Sequence, residues 1–114
     1  MTLPDGVERR SIDGRSAVLA TRGDPIGDEG TDGPWREWDP NRSKLGAMIE
    51  LGMHTGLAGG ETVLYLGAAA GTTASHVADF AGPTYAVEFA ARPMRDLLDV
   101  AESRDRLFPL LKDA

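Results

Sequence analysis

The sequence predicts an α/β protein that contains the first half of a doubly wound parallel sheet. Residues 63–66 form a short apolar, β-favouring run that stops at Gly67, in a strand predicted to begin at Glu61, and a helical pattern opens at Thr72. Residues 84–89 form a second apolar strand, and a second helical pattern covers residues 92–103. Strands that alternate with helices in this way build a parallel sheet, which binds ligands at the carboxyl ends of its strands.

The first strand and the turn after it have the features of a nucleotide site. Gly67 and Gly71 allow the backbone to approach a ligand closely, and the next helix directs its first amide groups towards it. Glu88 stands at the end of the second strand. A carboxylate at that position can accept hydrogen bonds from the two hydroxyls of a ribose.

The spacing of the two glycines narrows the choice of ligand. Dinucleotide sites favour the pattern G-x-G-x-x-G, whereas the position two residues after Gly67 is Ala69 here. The alanine methyl group crowds a pyrophosphate and suits a smaller, uncharged contact, such as the methionine part of S-adenosylmethionine. Two alternatives remain open: an oxidoreductase built on the same unit, and a purely structural turn between a buried strand and its helix.

The first 33 residues predict strands and loops. Residues 7–12 and 15–21 flank Asp13-Gly14, a strong signal for a β-hairpin with one apolar face, which must lie on another element. Residues 23–33 are rich in Gly, Pro and Asp and predict a mobile acidic loop. Because its acids lack the spacing of an EF-hand loop, we favour a solvated loop over a calcium site.

A tryptophan pair precedes the next predicted helix. Asp39 can cap a helix that has Pro40 at its first position and that ends near Gly52. Its apolar face would carry Leu45, Met48 and Ile49. Trp35 and Trp38 are either a packing anchor or stacking surfaces for RNA bases, and we favour the anchor.

Three further predictions concern the last third of the chain. His76 lies inside the first helix of the parallel unit and is expected to be packed or exposed rather than catalytic, since no cysteine or close acid pairs with it as a metal-ligand set. The second helix has an apolar stripe at Met94, Leu97, Leu98 and Ala101. Residues 107–111 predict a third strand, which Pro109 confines to the sheet edge or to its own start.

Composition and charge exclude several classes of protein. The chain has no cysteine, so disulfides and thiolate sites are excluded, and no apolar run reaches the ~18 residues of a membrane helix. Its start lacks the pattern of a signal peptide, so we expect a cytoplasmic protein without membrane contact. The net charge is −6, and ten of twelve basic residues are arginine. Such an acidic, lysine-poor chain suits concentrated salt and predicts a haloarchaeal source.

Four blocks of the sequence, in order, resemble archaeal fibrillarin-like methyltransferases. The blocks are WREWDPNRSKL (residues 35–45), LYLGAAAGTTASH (64–76), YAVEF (85–89) and KDA (112–114). The resemblance covers almost everything from Trp35 to Ala114. It implies a Rossmann-like S-adenosylmethionine-dependent methyltransferase sheet (residues 35–114) preceded by a small β-rich domain (residues 1–34).

The resemblance also implies an activity and its partners. These enzymes methylate ribose 2′-hydroxyls of rRNA and tRNA together with a Nop-family scaffold protein, a kink-turn-binding ribosomal protein and a box C/D guide RNA. Lys44 matches a catalytic lysine that holds and polarises the 2′-hydroxyl, in a Lys-Asp-Lys constellation. The candidate cofactor-binding residues are Gly67, Ala69, Gly71, Thr72, Thr73, Glu88, Phe89, Asp113 and Ala114.

The same resemblance indicates that the chain is a fragment. It stops where the third cofactor block has only begun, and in the family the catalytic aspartate and the second lysine come later in sequence. We therefore expect a chain that is inactive alone and catalytic only in its full-length form. The alternative is a non-catalytic remnant or a scaffold-binding module.

Overall fold

A computed structural model of the chain describes residues 3–112. It shows an α/β fold with an antiparallel sheet followed by a parallel sheet with helices. The elements in chain order are β1 (Val7–Ile12), β2 (Arg15–Arg22), β3 (Thr31–Asp32), β4 (Trp35–Glu37), α1 (Lys44–Glu50), β5 (Val63–Leu66), α2 (Thr72–Phe80), β6 (Thr84–Glu88), α3 (Ala91–Ala101) and β7 (Leu107–Leu111).

The antiparallel sheet has the strand order β1-β2-β4-β3. The predicted hairpin is confirmed: β1 pairs with β2, and the turn residues Asp13 and Gly14 have φ values of 52° and 76°. Such left-handed pairs match the twist of the flanking strands. The prediction of a loop over the whole of residues 23–33 is wrong at its end, because Thr31 and Asp32 pair with β4.

Helix α1 is shorter than the sequence pattern predicts. The predicted start at Asp39-Pro40 is wrong, because the Asp39 carboxylate accepts the Asn41 amide at 2.9 Å and so stabilises a separate turn. The N-cap is Ser43, whose Oγ accepts the Gly46 amide at 3.0 Å. Helix α1 therefore begins at Lys44.

The parallel sheet has the strand order β5-β6-β7, which confirms the predicted half of a doubly wound sheet. Strand β5 begins at Val63 rather than at residue 61, because the Glu61 carboxylate turns back to accept the amides of Ala58 and Gly59 at 2.7 and 2.8 Å. The predicted effect of Pro109 is confirmed, since Pro109 lies opposite Ala86 in the edge strand β7.

Helix α2 lies between the two sheets. On one side Ala74 and Ala78 pack in a cluster that includes residues of α3, β6 and β7. On the other side Val77 and Phe80 pack against residues of the hairpin, so the apolar face of the hairpin is covered as expected. In α3 the predicted stripe is wrong at Leu98, which is 48% exposed, whereas Met94 and Leu97 are buried.

The second face of the parallel sheet is not covered by a described element. Helices α2 and α3 share the first face, and the other face exposes large apolar side chains. They are Leu64, Leu66, Tyr85, Phe108 and Leu110. Among residues 3–112, no helix is long and apolar enough to cross a membrane.

Candidate functional site

The turn between β5 and α2 has left-handed backbone at three positions. The φ values are 75° at Gly67, 52° at Ala69 and 93° at Gly71. Gly71 has a φ of 93°, where a side chain is strained, and a Cβ atom there would lie 2.5 Å from Leu97 Cδ1, so the backbone conformation favours glycine and α3 packs closely over it. A Cβ atom at Gly67 would meet nothing within 4 Å, so the end of β5 borders open space. This turn therefore has room for a ligand above Gly67, while the glycine at position 71 is explained by the structure of the turn itself.

Glu88 joins the end of β6 to this turn. Its Oε1 accepts the Ala69 amide at 2.8 Å, and its Oε2 accepts the amides of Ala90 and Phe89 at 2.9 and 3.1 Å. These backbone N–H groups, from Ala90 and Ala69 above all, hold the pKa of the Glu88 carboxyl below its usual range. Because each carboxylate oxygen accepts about two hydrogen bonds, Oε1 can accept one more.

Lys44 is positioned near the first turn of α2 because its neighbour Ser43 contacts that turn. Thr73 Oγ1 donates to Ser43 Oγ at 3.0 Å, so the starts of α1 and α2 are in direct contact. Lys44 follows Ser43 as the first residue of α1, and its side chain is exposed. Thr72 is also exposed and lines, together with Ser43, a cavity of about 370 Å³.

The structure thus brings most of the predicted site residues to one edge of the parallel sheet. Gly67, Ala69 and Gly71 form the turn, and Glu88 contacts it directly. The neighbouring Phe89 is 69% exposed, and Thr72 and Thr73 begin α2. Asp113 and Ala114 lie outside the described residues.

Sequence reasoning missed a buried ion cluster behind this edge. Arg36 is fully buried, and its guanidinium donates to Asp79 Oδ2 at 2.9 Å, to Glu29 Oε1 at 2.9 Å and to Ser75 Oγ at 2.8 Å. The three partners come from α2 and from the predicted acidic loop. The signal in the sequence is an arginine between two tryptophans. Arg36 and Trp38 are two residues apart, and in an extended segment that spacing places both side chains on the same face.

His76 completes this cluster. Its Nδ1 lies 2.7 Å from Thr21 Oγ1 and its Nε2 lies 2.9 Å from Glu29 Oε2, while Thr21 also donates to Asp79 at 2.7 Å. Burial lowers the pKa of His76, and the hydrogen bond to Glu29 opposes that effect. The prediction that His76 is packed or exposed rather than catalytic agrees with its burial, and Glu29, which is distant in sequence, is its acidic partner.

The cluster requires a defined number of protons. Three contacts in a row, from Asp79 through Thr21 and His76 to Glu29, each need one proton. The Thr21 hydroxyl supplies one proton and a neutral imidazole supplies one, so with the neutral His76 that its lowered pKa favours, one of the three contacts is left without a proton.

Both tryptophans are buried. Trp38 is 1% exposed and stacks on His76 with the ring centroids 5.0 Å apart. Trp35 is 6% exposed, with the guanidinium groups of Arg10 and Arg22 at 5.3 and 5.1 Å from its ring centroid. The packing-anchor prediction is therefore confirmed, and neither ring has a free face for an RNA base.

The acidic loop does not form a metal site with its neighbours. Within residues 3–112, no group of three or more His, Asp and Glu side chains is arranged to hold a metal ion. Glu29 instead points inwards to Arg36 and His76. Glu29 of this loop therefore links strand β4 to helix α2.

Comparison with known proteins identifies the family. Residues 20–114 match the Fibrillarin family. The chain belongs to the fibrillarin family. Two solved structures are similar to this fibrillarin-family chain. The first is a fibrillarin/Nop5p complex, with a TM-score of 0.81 and 40% identity, and the match covers 99% of this chain and 54% of that chain. The second is Aeropyrum pernix fibrillarin with natively bound S-adenosyl-L-methionine, with a TM-score of 0.77 and 38% identity, and the match covers 99% of this chain and 58% of that chain.

Curated relatives of this fibrillarin-family chain include an enzyme of a salt-loving archaeon. The fibrillarin-like rRNA/tRNA 2′-O-methyltransferase of Haloarcula marismortui is 73% identical over 114 residues, which are 100% of this chain and 54% of that protein. The rRNA 2′-O-methyltransferase fibrillarin of Giardia intestinalis is 52% identical over 92 residues, 75% of this chain and 28% of that protein. The chain spans about half the length of the archaeal relative, whose source agrees with the haloarchaeal composition.

Proposed function

We propose that the chain is the N-terminal part of an S-adenosylmethionine-dependent ribose 2′-O-methyltransferase of fibrillarin type. The observation that carries this proposal is the 2.8 Å hydrogen bond between Glu88 Oε1 and the Ala69 amide. It joins the glycine turn of β5 to the acid of the neighbouring parallel strand at one sheet edge. An adenosyl ligand needs this pair: a carboxylate for its ribose hydroxyls, and an open turn for its methionine part.

The other residues of the edge fit the same ligand. Oε1 of Glu88 has capacity for one ribose hydroxyl, and the open space above Gly67 suits the sulfonium part. The exposed Phe89 ring offers an apolar surface beside the ribose position. Thr72 and Thr73 begin the helix whose first amides face this edge. The family blocks assign Asp113 and Ala114 to the adenine ring.

Lys44 is the proposed catalytic residue of this chain. Its ammonium group is exposed at the start of α1, which Ser43 fastens to α2. A cation beside a developing alkoxide stabilises that charge during attack of the 2′-oxygen on the methyl group. The C–O bond forms as the S–C bond breaks, and the ribose proton leaves to a base.

The whole protein is proposed to act on rRNA and tRNA. Its partners would be a Nop-family scaffold, a kink-turn-binding ribosomal protein and a box C/D guide RNA. The fibrillarin/Nop5p complex supports the scaffold, since it is similar to nearly all of this chain. We also propose the division into residues 1–34 and 35–114, although strand β4 beyond that boundary pairs with β2 of the N-terminal sheet.

Calorimetric titration with S-adenosylmethionine tests the cofactor proposal. Wild-type chain should bind S-adenosylmethionine and not NAD. Glu88→Gln should weaken binding on the order of tenfold or more, because the amide keeps only one acceptor oxygen for three backbone donors. Glu102→Gln, at the exposed end of α3, is the matched control and should leave the affinity unchanged. Binding of NAD in preference to S-adenosylmethionine would refute the proposal.

Methyl transfer tests the catalytic assignment. Lys44→Ala should retain S-adenosylmethionine affinity and lose transfer of labelled methyl to a guided RNA, measured with the second half of the protein supplied. Arg95→Ala, on the exposed side of α3, is a control for the loss of one positive charge. If both variants transfer methyl at the wild-type rate, Lys44 is not catalytic; if cofactor binds and no transfer occurs with any supplied partner, a scaffold role is supported.

A further inference from the structure

Thr73 makes a polar contact between the proposed cofactor edge and the helix that carries Lys44. Its Oγ1 donates to Ser43 Oγ at 3.0 Å, and Ser43 is the N-cap of α1. Thr73 is the second residue of α2, and Lys44 is the first residue of α1. A single hydrogen bond therefore joins the helix that follows the glycine turn to the residue before the proposed catalytic lysine.

The two ends of α1 are held to α2 by different kinds of contact. Ile49, near the C-terminal end of α1, is buried in an apolar cluster that includes Val77 of α2, and Leu45 packs against the same cluster. Among residues 3–112, the contact of Thr73 with Ser43 is the only side-chain hydrogen bond that joins α1 or its cap to α2. Loss of the Thr73 hydroxyl would thus release the start of α1 without detaching the helix.

The Ser43 hydroxyl oxygen accepts two hydrogen bonds, which is its full capacity. One comes from Thr73, and the other comes from the Gly46 amide at 3.0 Å. Because Ser43 is only 8% exposed, water has little access to the lone pair that faces Thr73. Removal of the Thr73 hydroxyl would leave a buried acceptor unsatisfied, which favours a shift of Ser43 and of the helix start.

The backbone of Thr73 stays available to a ligand while its side chain is engaged. In the part of the chain that the structure describes, no group accepts the amides of Thr72 and Thr73, and Gly71 caps α2 without a side chain. The one proton of the Thr73 hydroxyl, by contrast, is donated to Ser43. The amide therefore faces the cofactor edge while the hydroxyl faces α1.

We infer that Thr73 is a positioning residue for methyl transfer, which acts through Ser43 on Lys44. Its hydroxyl orients the start of α1 and does not bind the cofactor. The assignment rests on the proposed function, because the position of Lys44 affects the reaction only if its ammonium group stabilises the attacking 2′-oxygen. A misplacement of a catalytic group by about 1 Å can lower the rate by a factor on the order of 100.

Kinetics and calorimetry on the same variants test this role, with the second half of the protein and a guided RNA supplied for methyl transfer. Thr73→Val keeps the shape of the side chain and removes its donor. It should lower kcat about tenfold or more and leave the Kd for S-adenosylmethionine within about twofold of the wild-type value. Thr73→Ser keeps the donor and should restore kcat.

Thr55→Val is the matched control. Thr55 is another half-buried threonine, whose hydroxyl oxygen accepts the Leu57 amide at 3.3 Å beyond the C-terminal end of α1. Its substitution should change neither kcat nor the Kd. An equal loss of kcat in Thr55→Val and Thr73→Val would overturn the inference in favour of general destabilisation.

A double-variant cycle tests whether Thr73 acts through Ser43. Ser43→Ala removes the acceptor and the helix cap, so it should lower kcat at least as much as Thr73→Val does. The double variant should lose no more than Ser43→Ala alone, because both substitutions remove the same contact. Losses that multiply in the double variant would overturn the action through Ser43.

Nuclear magnetic resonance of the 114-residue chain shows the displacement directly. Thr73→Val should shift the amide resonances of Lys44 and Gly46 more than that of Ile49, which the apolar cluster holds. Unchanged Lys44 and Gly46 resonances would overturn the inference. So would clearly weaker S-adenosylmethionine binding by Thr73→Val, whatever its kcat, because the hydroxyl would then be a cofactor ligand.

The wild-type protein separates this inference from the proposed function. A wild-type protein that binds no S-adenosylmethionine and transfers no methyl refutes the proposed function, and the role of Thr73 falls with it. Normal transfer by the wild type together with an unchanged kcat in Thr73→Val refutes this inference alone.

Discussion

Arg36→Met is expected to destabilise the protein strongly, because Arg36 is the cation that holds the antiparallel sheet to α2. The guanidinium is fully buried and makes hydrogen bonds of 2.9, 2.9 and 2.8 Å. Its carboxylate partners are also protected from water, with side chains 5% exposed at Asp79 and 13% exposed at Glu29. Methionine fills a similar volume but leaves both carboxylates without this cation.

The magnitude follows from the burial of the partners. Removing one partner of a buried ion pair costs about 3–5 kcal/mol. Arg10→Met is the matched control in the same sheet, because Arg10 pairs with Asp32 at 3.0 Å where the side chains are 35% and 39% exposed. An exposed pair contributes about 0–1 kcal/mol, and salt screens it further. The two variants should therefore differ by at least ~2 kcal/mol in concentrated salt.

Urea unfolding measured by tryptophan fluorescence provides the assay, because Trp38 is packed against His76 in the folded chain. The free energy of unfolding of Arg36→Met should stay low at every KCl concentration, whereas the cost of Arg10→Met should fall as salt rises. Adding Asp79→Leu to Arg36→Met should recover part of the loss, since the uncompensated charge is then removed. Equal stability of the two single variants would refute the view that the cluster joins the sheets.

Two further predictions concern pH and backbone strain. Burial raises the pKa of Glu29, but hydrogen bonds from His76 and the Ile26 amide and the charge of Arg36 outweigh it and lower that pKa to about 2. The contribution of Glu29 to stability is therefore complete above its ordinary pKa of 4.5 and is lost as pH falls towards 2. In Glu29→Gln the urea midpoint of unfolding should therefore fall less steeply with decreasing pH than in the wild type. An equally steep fall in the variant would contradict this. Ala69 has a φ of 52°, a left-handed conformation that glycine adopts with less strain, so Ala69→Gly should stabilise the chain by about 0.5–1 kcal/mol in thermal unfolding. The control Ala70→Gly should destabilise it by about 0.4–1 kcal/mol. Loss of stability in Ala69→Gly would show that the left-handed alanine is not strained.

The parallel half of the fold was predictable from local patterns. Each of its strands is a short apolar run bounded by glycine, proline or a charged residue, and each of its helices has a 3.6-residue apolar period. Glu88 could be placed beside the glycine turn because adjacent parallel strands end at the same edge. The hairpin was equally local, since Asp13-Gly14 specifies its turn.

Long-range contacts decided the features that the sequence did not reveal. Asp39 has the chemistry of a helix cap, but only the contact of Ser43 with α2 shows where α1 begins. Leu98 belongs to the apolar stripe by period, and it is exposed because no described element covers that side of α3. The acids of residues 23–33 resemble a solvated run, and Glu29 is drawn inwards by Arg36, which lies seven residues further along the chain.

The contacts around α2 connect stability to the proposed chemistry. Its first turn borders the proposed cofactor edge and touches Ser43, while Ser75, His76 and Asp79 further along the helix hold the antiparallel sheet. Strand β4 carries Arg36 and leads within a few residues to α1, so the cluster also fixes the start of α1 relative to Glu88. It follows that a variant that loosens the cluster without unfolding the chain, such as Thr21→Val, should lower methyl transfer more than S-adenosylmethionine affinity. In the proposed site the turn and Glu88 contact the cofactor directly, whereas the position of Lys44 depends on the sheet behind α2.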